Sequence, residues 1–245
     1  MLKVAVVTPY YKEDEFILDR CHRSVVSQRF PCTHILVADG YPRSYFDGAA
    51  DTMHVRLPAP TGDNGNTPRA IGGILAQRYG FDAVAYLDAD NWYENDHISS
   101  VVDQFNMHSK PIICVKRQFF TISGTRMDIT QESEEKRIHV DTSCITLFRG
   151  AFKLLQAWLM PKQLGPVCDR IFIQKVRNDK YDILYLDQRT VCFQSQYLSH
   201  YAAAQIDPPA GAKTTEDVFG GARAFLSEVD NLQEISETLG FFPVL

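Results

Sequence analysis

Short apolar runs alternate with stretches in which apolar residues recur at helical spacing, and this alternation organises the first half of the chain. Residues 3–8 form an almost continuous apolar run ending in Thr8-Pro9-Tyr10, the pattern of a strand buried on both faces as it enters a loop. Residues 16–28 carry Phe16, Ile17, Cys21, Val25 and Val26 at helical spacing. A second strand over 33–38 ends at Asp39-Gly40, and residues 54–57 make a third. Residues 58–67 are rich in Pro, Gly, Asn and Asp and read as a loop. The next helix opens with Thr67 as cap and Pro68 at its first position. Ile71, Ile74, Leu75 and Tyr79 form its apolar face, and Gly80 stops it. A fourth strand over 83–87 runs into Asp88-Ala89-Asp90, a helix covers 96–108, and a fifth strand covers 112–116.

The second half is less regular. A strand is expected over 143–148, a short helix over 150–158 and an amphipathic helix over 168–180. A strand pair, 183–186 and 190–193, flanks Asp187-Gln188. After Pro208-Pro209 and Gly211 comes a helix over 215–229. Residues 119–136 are polar and fit no element.

Strand and helix in alternation predict an α/β domain spanning 1–245, with a mostly parallel central sheet covered by helices on both faces. Ligands of such sheets bind beyond the carboxyl ends of the strands. Those ends here carry Thr8, Tyr10, Asp39, Asp88 and Asp90. Two carboxylates one residue apart at a strand end can face one hard cation, Mg²⁺ or Mn²⁺, which shares itself with substrate phosphates. Asp39 can accept from a base N–H, or serve only as a turn-forming Asp-Gly. Trp92 and Tyr93 can stack on a sugar or pack in the core.

Charge and composition narrow the function. With 45% hydrophobic and 22% charged residues the chain is globular in composition. A net charge of −5 argues against a general nucleic-acid surface, so no nucleic-acid partner is expected. The first apolar run is too short for a signal core, and no later run approaches a membrane span. The six cysteines contain no CxxC pair, which removes the usual zinc and redox readings and leaves thiols suited to a reducing compartment. A cytoplasmic protein is expected, with at most peripheral membrane contact. The loop from Thr8 to Glu13 has no glycine, unlike the phosphate-cradling loop of nucleotidyltransferases. The acidic triplet follows four strands rather than the first, unlike that of aspartyl phosphatases.

Four segments in order make a more specific pattern: Val7-Thr8-Pro9-Tyr10-Tyr11, Ser24-Val25-Val26-Ser27-Gln28, Ile35-Leu36-Val37-Ala38-Asp39-Gly40 and Tyr86-Leu87-Asp88-Ala89-Asp90-Asn91. Together they resemble the family 2 glycosyltransferases of GT-A fold, with a DxD motif. Ala38 is a departure, because many relatives carry a second Asp there. The resemblance implies a nucleotide-sugar-binding half over 1–120, an acceptor and catalytic half over 121–206, and a tail over 207–245. Thr8, Pro9, Tyr10 and Asp39 would hold the nucleoside, Arg69 would lie near the donor phosphates, and Asp88 and Ala89 would border the donor. Asp90 and Asp88 would bind the metal, with His200 as a further ligand. Asp169 would be the base that deprotonates the acceptor, with Asp141 as its competitor. The implied reaction moves a sugar from a nucleotide-sugar donor, a UDP-sugar first, to the hydroxyl of a saccharide or other acceptor with inversion. Acceptor selectivity would lie in 119–136 and the tail. A binding protein of the same fold without turnover is the reading from a different class.

Overall fold

Residues 1–129 and 139–245 are described by a computed structural model. Seven consecutive buried residues form β1 (Val4–Tyr10), which explains the unbroken apolar run at the start of the chain. It lies between β2 (Cys32–Ala38) and β4 (Ala83–Tyr86), parallel to both, and β2 pairs in parallel with β3 (Thr52–Arg56). Beyond β4 lies β8 (Ile145–Phe148), antiparallel, followed by β6 (Ile112–Phe120), β9 (Ile183–Gln194) and the short β5 (Trp92–Tyr93). The two-residue β7 (Arg126–Met127) pairs with β6. Among the described residues this is one continuous nine-stranded sheet, mixed but with most of its residue pairs parallel.

Helices cover both faces, as the alternation requires. They are α1 (Glu15–Val26), α2 (Asn66–Arg78), α3 (His97–His108), α4 (Cys168–Asn178), α5 (Leu198–Ala204), α6 (Thr215–Ser227) and α7 (Val229–Leu239). No helix among the described residues is long and apolar enough to cross a membrane.

Several elements differ from the sequence reading. Helix α2 starts at Asn66, after Gly65 in the left-handed region at φ +79°. Thr67 is thus inside the first turn, and the capping acceptor is Asp63, whose Oδ2 takes the Thr67 N–H at 2.9 Å. The most deeply buried face of α2 is made of small residues, with the aliphatic Ile71, Ile74 and Leu75 only partly buried. Ala70, Gly72, Gly73 and Ala76 point inward, while Tyr79 is exposed. A Cβ on Gly72 would stand 2.4 Å from Val7 Cγ1, so only a small-residue face lets α2 approach β1 this closely. The strand pair expected after residue 183 is one strand, β9, with a bulge. Tyr185 pairs with Cys114 and Arg189 with Lys116, so three residues including Asp187-Gln188 oppose Val115 alone. Residues 149–158 form a run of 3-10 turns instead of an α-helix. The tail helix breaks at Glu228 (ψ 123°) into α6 and α7.

Candidate active site

The carboxyl ends of β1, β2 and β4 open onto a cavity of about 700 Å³. Pro9, Tyr10, Asp39, Arg69, Asp88, Ala89 and Asp90 all line it, so separate strand ends do converge as the topology suggests.

At the β1–β2 end, Tyr10 is held by a chain of hydrogen bonds. Its hydroxyl donates to His54 Nε2 at 2.7 Å and accepts from Arg43 N–H at 2.8 Å. This arrangement leaves His54 Nδ1–H to donate to Asp47 Oδ1 at 2.7 Å. Burial raises the Tyr10 hydroxyl above its ordinary value, so it stays protonated. Asp39 is buried and accepts from Thr61 N–H at 2.8 Å, with the Thr61 hydroxyl 3.0 Å from its second oxygen. Thr8 does not reach this cavity. Its Oγ1 is buried against His34 Nε2 at 2.8 Å, and Cys21 of α1 lies over it. It shares a face of β1 with Tyr10 but lies two residues further inside, ~7 Å from the strand end.

Arg69 is buried rather than an exposed first-turn arginine. Its Nη1 donates to Asn66 Oδ1 and its Nη2 to Asp88 Oδ1, both at 2.7 Å, and the guanidinium stands 5.0 Å over the Trp158 ring. The acidic loop that follows β4 is fixed from two further sides. Ser143 Oγ, at the entrance to β8, accepts from Asp88 N–H (3.1 Å) and Asn91 Nδ2 (2.9 Å). Gln194 N–H, at the end of β9, donates to Asn91 Oδ1 (3.0 Å). Arg20 Nη2 reaches both the Asp90 carbonyl (2.8 Å) and Gln194 Oε1 (2.5 Å). Asp90 is pushed up to about 7, first by burial and then by the Asp88, Asp141 and Glu13 carboxylates.

Asp88 and Asp90 also border a second cavity of about 310 Å³, whose far wall carries Asp141 and Asp169. Asp141 Oδ2 accepts from Arg117 Nη1 (2.9 Å) and Oδ1 from Ser143 N–H (3.0 Å). Burial pushes Asp141 up, against the pull of Arg117. Asp169 lies in the first turn of α4, with Oδ2 2.5 Å from His139 Nε2 and Oδ1 2.7 Å from Arg170 N. Burial alone would push Asp169 up, but His139 and Arg170 together hold it below the usual carboxylate range.

A third cavity of about 320 Å³ continues past Asp169, with His139, Tyr197, His200 and Phe219 in its walls. His200 belongs here and is not brought to Asp88 and Asp90. Its Nδ1 is 2.8 Å from Ser195 Oγ, and its ring packs against Phe119, Phe193 and Tyr197. Burial, followed by the Arg117 and His139 charges, pushes it down to about 3. Among the described residues no three His, Cys, Asp or Glu side chains gather as a ready metal cage. Tyr93 is buried in the core and stacks on His97, whereas Trp92 is half-buried, under Arg20 and against Phe120.

Sequence reasoning missed His139, Ser143, Gln194 and Lys213. In His139-Val140-Asp141 a period of two puts both polar residues on one face, a signal that was available. Nothing local marks Lys213. Of the region expected to choose the acceptor, 130–136 lies outside the described residues, whereas the tail does reach the cavities through Lys213 and α6.

No protein-family model and no curated protein matches this sequence. Solved structures share the fold. S. aureus TarS 1–349 in complex with UDP-GlcNAc superposes with a TM-score of 0.65 at 14% identity, covering 97% of this chain and 72% of that one. Its complex with UDP gives 0.64 at 14% identity, over 97% and 71%. TarS 1–349 without a named ligand gives 0.64 at 14% identity, over 79% of this chain and 60% of that one. The α/β architecture is thus of the expected GT-A type, and the chain spans 60–72% of the length of these neighbours.

Proposed function

We propose that this chain is a metal-dependent glycosyltransferase that moves a sugar from a nucleoside-diphosphate sugar, a UDP-sugar first, to an acceptor hydroxyl with inversion. One observation carries the reading. Two adjoining cavities that share Asp88 and Asp90, one reaching Asp39 and the other Asp169, lie beside the strand ends of a GT-A type fold. The TarS structures of that fold hold UDP and UDP-GlcNAc.

Asp39 and Tyr10 border the end suited to a base, where a carboxylate can accept from a base N–H. Arg69 reaches both the donor cavity and Asp88, so its guanidinium can orient the acidic loop and face phosphate oxygens. The oxygen set fits a hard cation. Asp90 has carboxylates rather than cations as its strongest charged neighbours, and Asp88 keeps one oxygen clear of Arg69. Two protein carboxylates leave further positions to substrate oxygens and water. Bound there, Mg²⁺ or Mn²⁺ would offset charge collecting on the departing diphosphate.

Asp169 is the better base of the two candidates. Arg117, the partner of Asp141, is a guanidinium that stays protonated and cannot relay a proton. His139 and Arg170 instead hold Asp169 in the charged form that a base needs. In this reading Asp169 takes the acceptor hydroxyl proton as the new C–O bond forms and the diphosphate leaves. Single displacement with a positioned base inverts the anomeric centre, which is the outcome this reading expects.

Calorimetric titration with UDP and GDP, with and without Mn²⁺, tests the donor site, alongside Asp90→Ala. Metal-dependent UDP binding that disappears in Asp90→Ala is expected. Failure of wild-type protein to bind either nucleotide with Mn²⁺ present would overturn the reading.

A further inference from the structure

Lys213 comes from the tail, yet it lines all three adjoining cavities. Its backbone is fixed there from both sides. Its N–H donates to Gln196 O at 2.7 Å and its carbonyl accepts from Leu198 N–H at 2.9 Å, a two-residue parallel bridge to the segment that follows β9. The next residue, Thr214, closes a capping box with Asp217 and starts α6. Chain direction and position at Lys213 are therefore set by hydrogen bonds, while its side chain is exposed to the cavities.

Its ammonium makes no ion pair with any described residue. It stands 6.0 Å from the Tyr197 ring centroid. That is unusual in walls so acidic. The donor cavity is lined by Glu13, Asp39, Asp88 and Asp90, against Arg69 and Lys213 as its cations. Arg69 already directs Nη1 to Asn66 and Nη2 to Asp88. Lys213 is the cation of this cavity that makes no ion pair, with the Asp217 carboxylate acting on it only at longer range, and it sits where the donor and base cavities meet. A diphosphate brings two or more negative charges to that junction and needs a mobile point charge, the role an ammonium on a flexible stem fills.

We propose that Lys213 is a binding residue for the diphosphate of the nucleotide-sugar donor, supplied by the tail and held in place by its bridge to Gln196 and Leu198. The inference rests on the donor-site reading above and adds to it a residue from outside the nucleotide-binding half. It also gives the tail a task in donor binding.

The test compares a ligand with the diphosphate and one without it. UDP and uridine are titrated calorimetrically in Mn²⁺ against wild type, Lys213→Ala and Lys213→Arg, with thermal melts to confirm equal folding. Loss of one charge-assisted phosphate contact should weaken UDP by ~10-fold in Lys213→Ala. Uridine affinity should not change, and Lys213→Arg should recover most of the UDP affinity. UDP binding within about two-fold of wild type in Lys213→Ala would overturn the assignment while leaving the donor site standing. Equal loss for UDP and uridine would also overturn it, since a phosphate contact cannot act on uridine. If wild type binds neither ligand, the donor site itself fails and this inference falls with it.

Discussion

Ser143→Ala tests how the acidic loop is held. The hydroxyl is fully buried and accepts from Asp88 N–H and Asn91 Nδ2, so its removal leaves two donors without a partner. An orphaned buried donor costs roughly 1–3 kcal/mol. The two do not count equally. The Asp88 donor is a backbone N–H in a loop that lines both cavities, where water is expected to take over from the lost hydroxyl. Asn91 is 0% exposed and has no such replacement. The expected loss is therefore about 2 kcal/mol, read as a lower urea midpoint at constant slope. For a chain of this length it corresponds to a fall of roughly 4–8 °C in Tm. Nucleotide affinity should drop in parallel, because the Asp88–Asp90 loop loses its anchor at the entrance to β8. A change under about 0.5 kcal/mol would refute the view that Ser143 holds the loop.

Asp90 has its folded-state pKa raised to about 7, so the folded chain binds this proton more tightly than the unfolded chain. Stability of the metal-free protein should fall as pH rises from about 4 to about 7. Asp90→Asn should melt higher than wild type at pH 8 and lose any stabilisation by Mn²⁺, both readable in thermal melts. Asp169→Asn should lower kcat by roughly 10²–10⁴-fold. Asp169 is held low by His139, so His139→Gln should move the acid limb of the rate profile to higher pH and leave Km less affected than kcat. Gly72→Ala should destabilise by about 1–3 kcal/mol through its contact with Val7 and Val37. Gly221→Ala on α6, where an added Cβ meets nothing, should instead stabilise by roughly 0.5–1 kcal/mol in denaturant titration.

The parallel part of the sheet was legible because its strands are buried on both faces and carry unbroken apolar runs, as in β1. The acidic strand ends were legible for a related reason, since a carboxylate closing such a run stands out. The orientation of α2 was not. Counting aliphatic residues picks out Ile71, Ile74 and Leu75, whereas close packing selects Gly72 against Val7 and Gly73 against Leu155 and Tyr86. Strand β9 was broken in two because a bulge interrupts period-two alternation without ending the pairing. His139 and Lys213 were missed because their significance comes from partners distant in sequence, Asp169 for one and the Gln196–Leu198 segment for the other.

The sheet order has a consequence in time. Strand β8 is synthesised after β6 but lies between β4 and β6. While the chain emerges, β1 to β4 can pair, but the outer edge of β4 stays bare until residues 145–148 arrive, and a bare edge invites pairing with another chain. Ser143 lies two residues before that strand, so the support of the acidic loop is set in place by the same insertion that closes the edge. A fragment ending before Ile145 would contain Asp88, Asp90 and Ser143 without the strand that positions Ser143 beside β4.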